Sequence, residues 1–236
     1  MSDDDRYSEL FAGKPGSVLA DFKDTPDVSR DGFVAAKQKA VSERREPPRR
    51  DHGPRVPPGQ EVVEKWPVLD LGHQPLIPRE QWSLDIKGAV ERPLSFDWQA
   101  FNSLPQETVG ADIHCVTAWS MLDNRWEGVT SRHLIEMVRP KPTARHVIFH
   151  AHDGYRTNVS LERFRAEDSL LAHSRNGEGI SREHGGPVRI VIPSLYFWKS
   201  AKWVRQITFL EHDVKGYWEA LGYHNEGDPW REERYA

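Results

Sequence analysis

The chain is poor in cysteine, in long apolar runs and in net charge, and each shortage removes a class of protein. It has one cysteine, Cys115, in 236 residues, so no internal disulfide can close and the fold must rest on a packed core. A lone thiol suits a reducing compartment. No apolar run approaches the roughly 20 residues of a membrane-spanning helix. The first thirty residues are acidic and polar with no apolar core, so no secretory signal is expected and the expected location is the cytoplasm. A formal charge of only −4 gives no global field to draw the chain onto nucleic acid.

What is present is uneven. Charged residues reach 29% against 37% hydrophobic, which places part of the chain outside any core. Residues 1–60 read as an extended or partly disordered arm. VAAKQKAVSERRE can form a short solvated helix, and PPRRDHGPRVPPGQ is rich in proline and arginine, with X-Pro pairs that favour extended backbone. Arg49 and Arg50 there fit a solvated linker better than a nucleic-acid or anion contact. Residues 61–236 read as one domain. Trp82, Leu84 and Ile86 alternate with Ser83, Asp85 and Lys87, which predicts a half-buried strand within 81–89. Trp98, Phe101 and Leu104, three apart, predict a short helix within 95–104. A strand over 113–116 delivers Cys115 to its end. Thr130 or Ser131 caps a helix over 133–139, which Pro140 stops. Further strands are expected at 146–150, 188–192 and 203–210, with brief elements at 158–164 and 168–172. The tail from Gly216 is expected to drape over the surface. Short strands outnumber short helices without βαβ alternation, so the fold class is α+β.

Three stretches can carry chemistry. Cys115 sits among Val116, Trp119, Met121 and Trp126, a setting that suits an inert buried thiol as well as a functional one. His114 is its neighbour, but adjacent strand residues face opposite ways, so His114 is badly placed as its base. His150, His152 and Asp153 fit a strand end turning into a loop, or two ligands of a metal whose third is remote. Glu183–Trp203 places Gly185 and Gly186 before Arg189, and Lys199 and Lys202 after a turn. That stretch suits a phosphate pocket or a turn with solvated lysines, and carries no Walker or Rossmann glycine pattern.

CVTAWS followed by a Trp and a Gly, then HGGPVRIVIPSLYFWKSAKWV, resemble the molybdopterin-binding domain of the sulfite oxidase family. The closer resemblance is to the bacterial branch that includes the catalytic subunit of periplasmic methionine-sulfoxide reductase. It runs from about Trp66 to the C-terminus and takes in WSLDIKGAVERPLSF and DGYRTNVSL. The resemblance implies the sulfite oxidase-type fold and one molybdenum-molybdopterin without an attached nucleotide. It implies Cys115 as catalytic thiolate and metal ligand. It implies cofactor contacts from His184, Arg189, Ser200, Ala201 and Lys202, with His73 and His152 near the pterin. The implied reaction is oxygen-atom transfer on a small oxo-donor or acceptor, with electrons exchanged with a separate haem, flavin or quinone-linked protein and no nucleic acid or membrane span involved. Sulfite oxidases carry an arginine shortly after the ligand cysteine; here Trp119 and Ser120 stand in that run, so a sulfoxide or N-oxide is expected rather than sulfite. Trp119, Trp126, Tyr196 and Tyr217 are candidates for the substrate funnel or for core. The rivals are sulfite-like oxidation, a cofactor-free cysteine enzyme, and a binding protein on the same fold.

Overall fold

The computed structural model describes residues 53–236, together with Ala35, Lys39, Ser42 and Glu43 of a preceding helical stretch. Those four positions fall in the helix expected of the arm; Arg49 and Arg50 lie outside the described residues. Two sheets form the body. The first runs β1 (Glu61–Val62), β5 (Trp119–Thr130), β8 (Leu170–Arg175), β10 (Arg189–Val191), with β4 (Glu107–Cys115) also paired to β5 and β9 (Glu178–Gly179) to β8. The second runs β3 (Leu94–Asp97), β2 (Ser83–Gly88), β11 (Val204–Leu210), β6 (His146–Ala151), β7 (Arg156–Ser160).

Local sequence explains much of this. Leu84 and Ile86 of β2 are buried and their alternate neighbours exposed, as period-two alternation requires. Helix α1 (Trp98–Asn102) is shorter than the apolar spacing suggested. Leu94–Asp97 is drawn off as a strand against β2, and Asp97 then caps the helix by accepting from the Ala100 N–H. Helix α2 (Ser131–Val138) has Thr130 as its cap and buries Leu134, Ile135 and Val138. The longest strand, β5, carries little alternation, and the sequence gives no warning of its length. Helices α3 (Leu161–Phe164) and α4 (Tyr217–Ala220) are single turns.

The larger core packs Trp82, just before β2, and Leu84, Phe149, Ile207 and Phe209 of the second sheet with Val129, Leu171 and Ile190 of the first. A smaller core around β4 and β5 contains Cys115, Trp119, Met121, Trp126 and Phe197. The tail is not draped. Tyr217, Trp218, Glu219 and Tyr223 are buried, and aromatic area of this size is worth more in contact than in water. The arm's last residues also lie on the body: Arg55 bonds Asp112 and Asp123, and Gln60 is buried.

Candidate active site

Cys115 ends β4 and faces Trp119 across a tight hairpin. The Ala118 N–H closes that turn onto the Cys115 carbonyl at 3.0 Å, and Ala118 takes a left-handed φ of 70°. The thiol Sγ lies 3.2 Å from Thr117 Oγ1. β1 runs parallel to β5 beside this turn, with the Glu61 N–H on the Ala118 carbonyl at 2.9 Å. From the far end of the chain, Arg234 Nη1 donates to the Val116 carbonyl at 2.8 Å. His114 points the other way, its Nδ1 2.8 Å from Ser120 Oγ, and burial lowers its pKa to about 4. The imidazole is therefore a weak base that is bonded elsewhere and points away from Cys115.

The second wall comes from the glycine-rich loop and β10. Gly185 has φ 102°, and a Cβ there would stand 2.7 Å from Lys202 Cβ, so this position requires glycine for both conformation and space. The approach of loop and strand buries Arg189. Its Nη1 donates to the His184 carbonyl at 2.7 Å, its Nη2 to the Ser200 carbonyl at 2.8 Å and its Nε to the Ile190 carbonyl at 3.3 Å. Five guanidinium N–H groups against three bonds leave donors to spare. Burial lowers the Arg189 pKa to about 9. Lys202 Nζ donates to the Glu183 carbonyl at 2.6 Å and stands 3.7 Å from Asp70; burial, then Arg189, brings its pKa down to about 8.

Between the walls lies a cleft. Cys115, Arg189, Ser200 and Lys202 all line it, although they are up to 87 positions apart in the chain. His184 and Ala201 stand behind the lining: the His184 ring stacks on Trp66 at 3.8 Å between centroids, and Trp66 is what faces the cleft. The side chains of His73 and His152 are exposed and outside the lining. Asp70 explains His73, because its carboxylate takes the Gly72 N–H and the Gln74 side chain and so builds the turn around itself. Of the four funnel candidates, Trp119 lines the cleft; Trp126, Tyr196 and Tyr217 are core. Lys199, read with Lys202 as a phosphate contact or a solvated charge, is neither: it is fully buried and paired with Glu219. His150, His152 and Asp153 make no metal cluster; among the described residues no group of three or more His, Cys, Asp or Glu does.

Sequence reasoning missed Trp66, Asp153, Tyr155, Trp198 and Tyr223, which belong to the lining too. Aromatic residues carry no spacing signal that separates cleft from core. Asp153 was visible only as part of a doubtful metal motif. It is buried, accepts from the Tyr155 N–H at 3.0 Å, and burial pushes its pKa up to about 6.

The matching family model, the oxidoreductase molybdopterin-binding domain, covers residues 71–218. The chain belongs to that family. It is thus a molybdopterin-dependent oxidoreductase of the sulfite oxidase type, with molybdenum-molybdopterin as cofactor. A relative in Bacillus subtilis (strain 168), the uncharacterized oxidoreductase YuiH, is 45% identical over 187 residues, 79% of this chain and 94% of the relative. The protein-methionine-sulfoxide reductase catalytic subunit MsrP of Campylobacter jejuni is 28% identical over 158 residues, 60% of this chain and 53% of that one. The chain therefore spans about half of the MsrP proteins it matches. The sulfane dehydrogenase SoxCD of Paracoccus pantotrophus shares the fold, with a TM-score of 0.55 at 22% identity over 60% of this chain and 41% of that one.

The residues present fit a molybdopterin. Arg189 has uncommitted donors, and Trp119 Nε1 and His184 Nδ1 are buried beside the cleft without a hydrogen-bond partner among the described residues. Buried polar atoms need partners, so a cofactor with several acceptors and donors suits this lining.

Proposed function

We propose that the protein transfers an oxygen atom to or from a small substrate, a sulfoxide or N-oxide, at a molybdenum bound by the Cys115 thiolate. One observation carries the reading: the lone thiol opens into an aromatic cleft whose opposite wall holds a buried arginine and a lysine. Arg189 and Lys202 supply the positive charge for the cofactor's phosphate, Arg189 as a planar fork and Lys202 as a point charge. Ser200 contributes from the backbone turn between them. The bound molybdenum supplies the two-electron oxygen-atom chemistry, and a soft thiolate is a suitable ligand for it. Trp119 and Tyr155 exclude water and present flat apolar surface. Trp119 and Ser120 stand in the run where sulfite oxidases carry an arginine, which disfavours an anion such as sulfite. The cofactor-free thiol reading is disfavoured by His114, which burial makes a weak base and which is bonded to Ser120 rather than to Cys115.

Electrons are proposed to come from a separate haem, flavin or quinone-linked protein; the MsrP relatives are named as catalytic subunits, which implies another subunit. A cytoplasmic site of action is proposed on the lone free thiol, and cell fractionation checks it. The central test is Cys115→Ser in protein from a molybdenum-competent host. Parent protein should carry about one molybdenum and one pterin per chain, as a single-thiolate site implies. The variant should stay folded and lose at least about 100-fold in oxo-donor turnover, about 2.7 kcal/mol of transition-state stabilisation. Parent-level turnover in the variant would remove Cys115 from the reaction.

A further inference from the structure

Lys199 and Glu219 form an ion pair that the proposed reaction does not use. Nζ and Oε1 are 2.6 Å apart and both side chains are fully buried. The same Oε1 accepts from Trp198 Nε1 at 2.8 Å and from Thr157 Oγ1 at 2.9 Å. Lys199 Nζ also donates to the Asn158 carbonyl at 2.9 Å. Removing two charges from water is costly, and an apolar pair of similar volume often gives equal or greater stability. The value of the pair therefore lies in what else it holds.

What it holds is Trp198. The indole lines the cleft, stacks on Tyr196 at 5.4 Å and meets Tyr223 edge-on at 5.3 Å. Its backbone carbonyl accepts the Tyr155 hydroxyl at 2.7 Å, and Tyr155 and Tyr223 line the cleft with it. An indole has one N–H, so a single acceptor selects its ring orientation, and a charged acceptor does so more strongly than a neutral one. Lys199, one residue after Trp198, fixes where that acceptor lies. Glu219 itself is outside the cleft lining and arrives from α4, so the tail reaches through the core to set a wall of the site.

We propose that Glu219, anchored by Lys199, is a positioning residue that orients the Trp198 indole as a wall of the substrate cleft and so decides which substrates fit. This rests on the reading of the cleft as the substrate site. The test pairs kinetics with fluorine NMR. The double variant Lys199→Met with Glu219→Leu removes both charges together and leaves no buried ion alone. Protein labelled with 5-fluorotryptophan gives a Trp198 resonance, assigned by its loss in Trp198→Phe. Methyl phenyl sulfoxide is the probe.

The double variant should retain parent molybdenum and pterin content. Its KM for the sulfoxide should rise about tenfold while kcat stays within about threefold, the pattern of a lost binding contribution. The Trp198 resonance should shift and broaden. Trp198→Phe, which keeps the pair and loses the N–H, should raise KM in the same way, and this variant decides the matter if the double variant does not fold. A parent-like KM in Trp198→Phe, or an unmoved Trp198 resonance in a folded double variant, would overturn the assignment. Failure of the underlying cleft reading looks different: the sulfoxide then neither turns over nor moves any tryptophan resonance in the parent.

Discussion

Asp153 shows how one buried side chain converts position into pH dependence. Burial raises its pKa to about 6 from an ordinary 3.8. Below the lower value the carboxyl is neutral in both folded and unfolded chains and costs nothing. As pH rises from about 4 to 6 the unfolded chain releases the proton first, so the folded state loses relative stability across that window and carries the full cost above it. Asp153→Asn keeps an acceptor for the Tyr155 N–H and removes the charge. The stability gap between variant and parent should widen from about pH 4 to pH 6 and then level off at roughly 2–3 kcal/mol. Urea titrations of cofactor-free protein at several pH values measure it, and a gap independent of pH would contradict the assignment. At this scale the sequence was most informative where a residue type is rare. Cys115 stood out as the lone thiol, although such a thiol is more often inert filler, and the family motifs around Cys115 and Arg189 are what singled them out. His73 and His152 were weaker, because a histidine in a turn is equally at home in solvent, and there their side chains lie.

β5 is the element on which the site depends, since it pairs with β1, β4 and β8 and returns the chain from Cys115. Gly128 lies at an irregularity in the β5–β8 pairing, and a Cβ there would collide with the Leu171 carbonyl. Gly128→Ala should lower stability by about 1–3 kcal/mol through strain in a packed strand. Thermal melts should show the loss, while kcat per folded, cofactor-loaded molecule stays close to the parent. A variant with an unchanged melting temperature would mean that β8 moves aside freely. β5 was not legible in advance because Asp123, at φ 59°, and the buried Asn124 interrupt its alternation. The buried amide is satisfied by the Met121 carbonyl, a partner that periodicity cannot reveal. Helix α2 was legible because its cap, its apolar stripe and Pro140 are all local signals.

Across the whole molecule the tail acts as a tie. Glu219 meets Lys199, and Arg234 meets the carbonyls of Val116, Pro58 and Gly59, joining the chain's end to the Cys115 turn and to the segment before β1. Truncation after Lys215 would strand the Lys199 ammonium in the core. Breaking a buried pair from one side costs about 3–5 kcal/mol, a large share of the stability of an ordinary domain. The truncated chain should be largely unfolded by circular dichroism; restoring Lys199→Met within it should recover part of the lost signal. A truncated chain as stable as the parent would show that the tail contributes little.

The sequence by itself determined the α+β class, the order of most elements and the family. The first two follow from local periodicity and capping chemistry, the family from motifs in a fixed order. The tertiary structure alone decided which lysine faces the cleft and which is internal. Lys199 and Lys202 are three positions apart and chemically identical. Only the packing of α4 against β7 sets a carboxylate beside the first, while Gly185 and Asp70 come up against the second. The burial of an ammonium depends on partners distant in the chain, and no reading of neighbouring residues contains them.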